Sequence, residues 1–325
     1  MKNHSVLAYR RNLFILAGVA AGCLLVALGV DNSFYLNLLT YSAIYSVAAL
    51  GLFLLFGYAG QISLAQGAFF GIGAYLSSYL TMKVGVPSAL SLVCAGLIPG
   101  AVGWLVGSRL LKLTNNYLAM ATLAFGSICV ILFGQARSIT GGLDPGMIGV
   151  PPFMLLGYQV RSPSATFALC AVVFLVAAFL TINLVHSRIG RSLRALRSSE
   201  VAADGLGIDV VRYKVRIFAI AAGMAGVAGA LFAHVQQSFN AAAFSVGLSI
   251  ELLLMVVIGS VFTPWGAITG ALFVTILPHM LEGFEHFKLL VYGVMMTIVM
   301  IFMPDGLGKG IVDALTSALR RGERP

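Results

Sequence analysis

The sequence predicts an all-α fold: a polytopic membrane bundle of about ten transmembrane helices, forming one domain over 1–325, with both termini cytoplasmic. Three observations carry this expectation. The 325 residues are 59% hydrophobic and only 10% charged, with a mean hydropathy of +0.98, whereas soluble domains carry about 25% charged residues. Apolar runs close to the ~20 residues needed to cross a bilayer recur along the whole chain. Finally, the basic residues fall in alternate connections between those runs, as topology control by positive charge requires. A chain so poor in charge cannot cover a globular surface, so lipid must be much of its solvent. The 37 glycines fit the same class, because Gly lets membrane helices approach closely.

Taken in order, the expected spans are 13–30, 35–56, 62–81, 88–107, 117–134, 164–185, 217–236, 246–262, 267–282 and 289–303. The third is rich in glycine, which allows a re-entrant path as well as a full crossing. With the N-terminus inside, sixteen of the 20 Lys and Arg fall on the cytoplasmic side. They are Lys2, Arg10 and Arg11, then Arg109 and Lys112, seven within 186–216, and Lys309, Arg320, Arg321 and Arg324. Only Lys83, Arg137, Arg161 and Lys288 remain outside. One span more or fewer destroys this split, so the net charge of +9 reads as membrane topology and not as affinity for nucleic acid.

Arg10-Arg11 before an apolar run resembles a signal peptide, and Ala20-Ala21-Gly22-Cys23 resembles a loose lipoprotein cleavage site. The run continues to Val30 without a polar break, which favours an uncleaved anchor. Cys23, Cys94, Cys129 and Cys170 all lie in apolar stretches without CxxC spacing, so neither a disulfide framework nor a metal knuckle is expected. Two long connections stand out: 135–163, facing outward and rich in Gly and Pro, and 186–216, facing inward and rich in Arg. Gly67-Ala68-x-x-Gly71 is echoed by Gly266-Ala267-x-x-Gly270, each opening an apolar run, as in transporters with repeated halves.

The inward connection carries the most chemistry. On a helix, Glu200, Ala203 and Gly207 lie within about 60° of one another, a charge followed by small residues that another protein can approach. Gly207 suits a helix end and Asp209 a new N-cap. An ordinary basic loop that fixes topology accounts for the arginines equally well. In the third segment, Gly60, Gln61, Ser63, Gln66 and Gly67 form a polar, glycine-rich stretch. An unpaired amide at depth is costly, so Gln61 and Gln66 are candidates for a transport pathway. The alternative is helix packing, as the stripe Gly96, Gly100, Gly103 and Gly107 illustrates. Glu251 is the one clear intramembrane acid; it reads as a substrate contact, a structural partner or an interfacial residue. His234 and His279 near span ends read as satisfied interfacial residues, and Glu282 and Glu285 as outer-surface acids.

Enzyme classes find little support. There is no HExxH, no Gly-x-Ser-x-Gly and no pair of carboxylates within a span. Gly308-Lys309 is followed by Gly310, and Met303 stands where a phosphate-binding loop needs its first glycine, so this chain is not expected to hydrolyse ATP. An ion-coupled secondary carrier is the runner-up; it would place carboxylates or His along a relay, and no relay forms here.

Five stretches carry a specific resemblance. Glu200-Val201-Ala202-Ala203 through Gly207-Ile208 resembles the coupling-helix motif of ABC importer permeases. Gly57 through Tyr75 resembles the signature of branched-chain amino acid permeases of the LivM kind. Ser249 through Gly259, Trp265-Gly266-Ala267 and Pro304-Asp305-Gly306-Leu307 are similar to later parts of that family, in order. The resemblance implies coupling to an ATPase through Arg194, Arg197, Glu200, Ala202, Ala203 and Gly207. It further implies a homologous second permease, two cytoplasmic ATP-binding subunits, a periplasmic substrate-binding protein and a bacterial inner membrane. No cofactor is implied on this chain, and the implied substrates are leucine, isoleucine and valine; related permeases take urea, short amides or aromatic amino acids. Departures are Gln66 where the family often has His, Pro145 inside Thr140-Gly141-Gly142-Leu143-Asp144-Pro145-Gly146, and Ser260 and Phe262 where glycines are usual.

Overall fold

The computed structural model describes residues 2–30, 32–111, 113, 115–155, 158–280, 293, 294 and 297. The expected tenth span lies almost wholly outside the described residues. So do Lys112, Glu282, Glu285, Lys288, the segment Pro304–Leu307, Gly308-Lys309 and the C-terminal arginines.

The described residues form twelve α-helices: α1 (Lys2–Gly29), α2 (Ser33–Phe53), α3 (Gln66–Tyr79), α4 (Ser88–Leu110), α5 (Asn115–Gln135), α6 (Arg137–Thr140), α7 (Pro163–His186), α8 (Arg188–Ser198), α9 (Glu200–Gly205), α10 (Val210–Gln236), α11 (Val246–Gly259) and α12 (Pro264–Met280). π-helical turns extend α2 through Leu54–Tyr58 and α3 through Leu80–Val84. Six helices are long and apolar enough to cross a membrane: Tyr9–Gly29, Ser33–Tyr58, Ser88–Leu110, Tyr117–Gln135, Pro163–His186 and Val210–Gln236. The class is therefore a helical membrane bundle. The eighth and ninth expected spans form shorter helices, 14 residues in α11 and 17 in α12. At 1.5 Å per residue α11 covers about 21 Å of a hydrocarbon core about 30 Å thick.

One expected boundary is corrected, and the two long connections gain internal structure. The third span starts at Gln66, not 62, because residues 60–65 run without helical structure, with Gly60 at φ +67°. The inward connection 186–216 is two short helices plus the first two turns of α10. Ser187 caps α8, Ser199 caps α9 and Asp209 caps α10, each side chain accepting from a backbone N–H of the first turn. The outward connection 135–163 contains small strands: β1 (Met147–Ile148) pairs antiparallel with β4 (Ser238–Phe239), and β2 (Met154–Leu155) with β3 (Tyr158–Gln159).

The centre of the bundle is α10, which packs along α2, α3 and α4. It can do so because small residues line the contacts. A side chain added at Gly73 would strike the backbone of Gly226, one at Gly226 the backbone of Ala95, and one at Gly229 the backbone of Phe70. Close backbone approach replaces the hydrophobic drive that lipid cannot supply. Around it, Phe69, Phe70, Phe218 and Phe244 are fully buried, and Phe69 meets Phe125 and Phe218 edge-to-face or tilted at 5.4 and 5.6 Å. His234, near the end of α10 opposite the basic connection, has both ring nitrogens partnered: one with Ser77 Oγ at 2.9 Å, the other with the Pro151 carbonyl at 2.8 Å. It is the satisfied histidine the sequence suggests.

The echoed Gly-Ala-x-x-Gly motifs open α3 and α12, and both pack on α11. A Cβ at Gly67 would stand 2.9 Å from Ser249 Oγ, near the start of α11. Gly266 and Gly270 lie against Ser260, Gly259 and Met255 at its end.

Candidate functional site

The basic end of the bundle brings most candidate residues together. α8 is strongly amphipathic by sequence: Leu193 and Leu196 are buried, and Gly190 lets its first turn press on the backbone of Leu184 and Val185. Its arginines fasten this helix to the bundle. Arg194 Nη1 donates to the Val185 carbonyl at 3.3 Å, and its guanidinium lies 5.6 Å from the centre of the Tyr58 ring. Arg197 Nη1 donates to the Gly57 carbonyl, and its guanidinium stacks 5.2 Å from the centre of the Phe262 ring. One helix thus touches the π-helical turn at the end of α2 and the link 260–263 between α11 and α12. Its Arg197 also flanks Gly60, 3.6 Å from where a Cβ would stand.

The short helix α9 corrects the expected docking face. Ala203 is buried, and Glu200 Oε1 accepts from Lys214 Nζ at 2.6 Å. The Lys214 side chain is only 6% exposed, that of Glu200 47%. The face of Glu200 and Ala203 therefore turns back toward α10, while Val201, Ala202, Asp204 and Leu206 face out, Val201 and Leu206 at 85% and 78% exposure. The reason is electrostatic: a lysine tucked against the bundle needs a carboxylate, and only the inward face of α9 supplies one. Gly207 does end this segment, at φ +77°.

Gln61, Ser63 and Gln66 are buried. Among the described residues, both amide atoms of Gln61 and the carbonyl of Gln66 have no hydrogen-bond partner. The stretch is held by few bonds: Gln61 N–H to the Leu55 carbonyl, Leu64 N–H to Thr122 Oγ1, and Gly67 N–H to Ser249 Oγ at 2.9 Å. Gln66 thus begins α3 beside the first turns of α11, on which Glu251 follows Ser249 by two residues. The Glu251 residue is exposed on the surface of the chain, so it is not gathered with Gln61 and Gln66 into one buried site.

Comparison with known proteins bears on this arrangement. The sequence profile described as "Branched-chain amino acid transport system / permease component" matches residues 34–303. The high-affinity branched-chain amino acid transport system permease protein LivM of Salmonella typhimurium is 31% identical over 294 residues, spanning 83% of this chain and 69% of that protein. This chain belongs to that permease family. The LivM protein of Escherichia coli gives the same figures. The LivH permease of Salmonella typhimurium is 25% identical over 292 residues, spanning 83% of this chain and 93% of that protein. No solved structure matches. As a member of this permease family the chain is a multi-pass integral membrane protein and a translocation subunit.

Two permease residues gain meaning only in three dimensions. Lys214 reads as one more loop cation, yet it is the buried partner of Glu200. Ser249 enters the sequence reading only as the start of a family-like stretch, yet its hydroxyl accepts from Gly67 N–H and holds the start of α3. Ser260 sits at φ +151°, in a region that glycine alone adopts freely. Ser260→Gly is therefore expected to stabilise the permease by about 1 kcal/mol, measured as a raised thermal midpoint of the purified protein. An unchanged or lowered midpoint would show that the Ser260 Oγ bond from Phe262 N–H outweighs the backbone relief.

Proposed function

We propose that this permease is the translocation subunit of an ATP-driven importer of leucine, isoleucine and valine, working by alternating access with the basic end in the cytoplasm. The substrate reading rests on the family and on relatives named as branched-chain amino acid permeases. The orientation rests on positive charge: α8, α9 and the start of α10 carry seven of the basic residues. ATP hydrolysis belongs to two partner subunits, a homologous permease completes the pathway, and a periplasmic binding protein delivers substrate.

One observation carries the mechanism. Arg197 on α8 reaches both the Gly57 carbonyl and the Phe262 ring, so a push on α9 moves two helix ends and the stretch 60–65 together. In this reading an ATP-binding subunit presses on the exposed Val201, Ala202 and Leu206. Arg194 and Arg197 pass the displacement inward, with Glu200, Ala203 and Gly207 keeping α9 attached. Gln61 and Gln66 then pair with the polar ends of the passing amino acid, which is what unpaired buried amides favour. Glu251 and the exposed face of α11 complete the path, since an acid facing lipid is expensive and one facing a water-filled path is not.

Uptake of labelled leucine into proteoliposomes holding the complete complex, with ATP inside and binding protein outside, tests the reading. ATP-dependent uptake blocked by isoleucine and valine supports it. Uptake that persists without ATP and collapses with an ionophore overturns the energy source, and competition by urea or phenylalanine alone overturns the substrate. Within this assay Gln66→Leu is expected to change the uptake rate about two- to tenfold, the worth of one buried hydrogen bond. Stimulation of ATP hydrolysis by the binding protein is expected to persist. Unaltered uptake kinetics would remove Gln66 from the pathway.

A further inference from the structure

Away from α8 and α9, the same end of the bundle carries a second, unassigned feature. Arg212, Arg216, Ile220, Met224 and Val227 recur on α10 at intervals of three and four and form one surface stripe. On the antiparallel α4, Leu97, Trp104 and Ser108 keep step beside it. Two cavities follow this line. The larger of the two, about 760 Å³, is almost wholly apolar and is lined by Leu97, Val176, Leu180, Ile220, Met224 and Val227, with Val47 and Leu54 from the α2 side. The other, about 540 Å³, lies at the basic end between Trp104, Ser108, Asp209, Arg212 and Arg216.

The succession of chemistries along the line is that of a membrane leaflet. Apolar walls give way to an indole, where tryptophan marks the membrane interface, and then to two guanidiniums, with one carboxylate, Asp209, 3.4 Å from Arg212. The dimensions agree. From Val227 to Arg212 the stripe is about 22 Å long at 1.5 Å per residue. Half a hydrocarbon core is about 15 Å, and the headgroup layer adds about 5–7 Å.

We propose that this groove binds an anionic phospholipid, its acyl chain held between α4, α7 and α10 and its phosphate and headgroup by Arg212 and Arg216. Two cations against one carboxylate select negative charge, and a basic pocket between membrane helices suits such headgroups. Because side chains of α2, α4, α7 and α10 line the apolar cavity, the lipid touches protein on several sides, which sets it apart from the surrounding bilayer.

The experiment uses the complex purified in mild detergent from membranes containing phosphatidylglycerol, with bound phospholipid counted by native mass spectrometry. Arg212→Gln with Arg216→Gln is expected to retain about tenfold less phosphatidylglycerol. Arg137→Gln with Arg161→Gln removes the same charge from the opposite end and is expected to retain it. Leu180→Trp narrows the apolar chamber without touching the arginines and is expected to lose the lipid as well. Equal retention in the first pair and the wild type would overturn the site. Equal loss in both pairs would overturn it in favour of bulk charge attraction. Efficient cross-linking from Trp104→Cys to the partner permease would overturn it in favour of a protein-covered face.

Discussion

Glu200→Arg is expected to lower ATP-dependent uptake at least about tenfold, and Glu200→Lys combined with Lys214→Glu is expected to recover much of it. Lys214 is nearly sealed from solvent and its ammonium has the Glu200 carboxylate at 2.6 Å. Replacing that carboxylate by a guanidinium leaves a buried cation unpaired and sets a second one against it. Glu200 is about half exposed, so the loss is discounted from the 3–5 kcal/mol of a fully buried pair to roughly 2 kcal/mol. That still exceeds the 1.4 kcal/mol that corresponds to a factor of ten, and α9 has only six residues with which to resist it. Val201→Glu separates anchoring from docking. Its side chain faces out, so the thermal midpoint is expected to stay put while uptake falls. If Glu200→Arg leaves uptake intact at equal abundance, the α8–α9 pair does not couple this permease to the proposed ATP-binding subunits. If the swap restores nothing, the pair is incidental.

Gly226→Leu is expected to remove the folded protein from the membrane. A side chain there runs into the carbonyl of Ala95 and stands 2.6 Å from the Pro99 ring, while the backbone of Gly226 is already touched from the other side at Gly73. Overpacking an ordinary core site costs about 1–3 kcal/mol. Here rigid backbone lies on both sides, so α3, α4 and α10 must all separate. Gly22→Leu, with no atom near its Cβ position, is the matched control and is expected to be silent within about 0.5 kcal/mol. Size-exclusion profiles of the detergent-extracted proteins distinguish the two outcomes. A normal profile for Gly226→Leu would show that the three helices can repack apart.

Much of the fold was legible because lipid imposes a single rule, a long apolar run. α2, α4, α5 and α7 lie within a few residues of their expected positions for that reason. The rule fails where packing replaces length. α11 is short because its start and end are clasped by the glycines of α3 and α12, and hydropathy is blind to that. α10 starts seven residues before the apolar span because the helix begins at its cap, Asp209, and not where the apolar run opens. In the candidate site, the helix end at Gly207 and the cap at Asp209 were readable from local chemistry. The outward face of α9 was not, since a six-residue helix takes its orientation from one tertiary ion pair. The reach of Arg197 to Gly57 and Phe262 spans 140 and 65 residues of sequence, and no local pattern announces it.

The non-helical stretch 60–65 has a consequence for the life of the chain before assembly. Backbone without helical bonding is tolerated at membrane depth only where protein or water covers it. In the isolated chain Ile62 is 43% exposed, and Glu251 also stands on the surface. A newly made copy that has not met its partner permease therefore displays Ile62 and the Glu251 carboxylate at its surface, and an uncovered acid is costly in lipid. Cells making this chain alone are expected to hold little of it, with abundance set by supply of the partner.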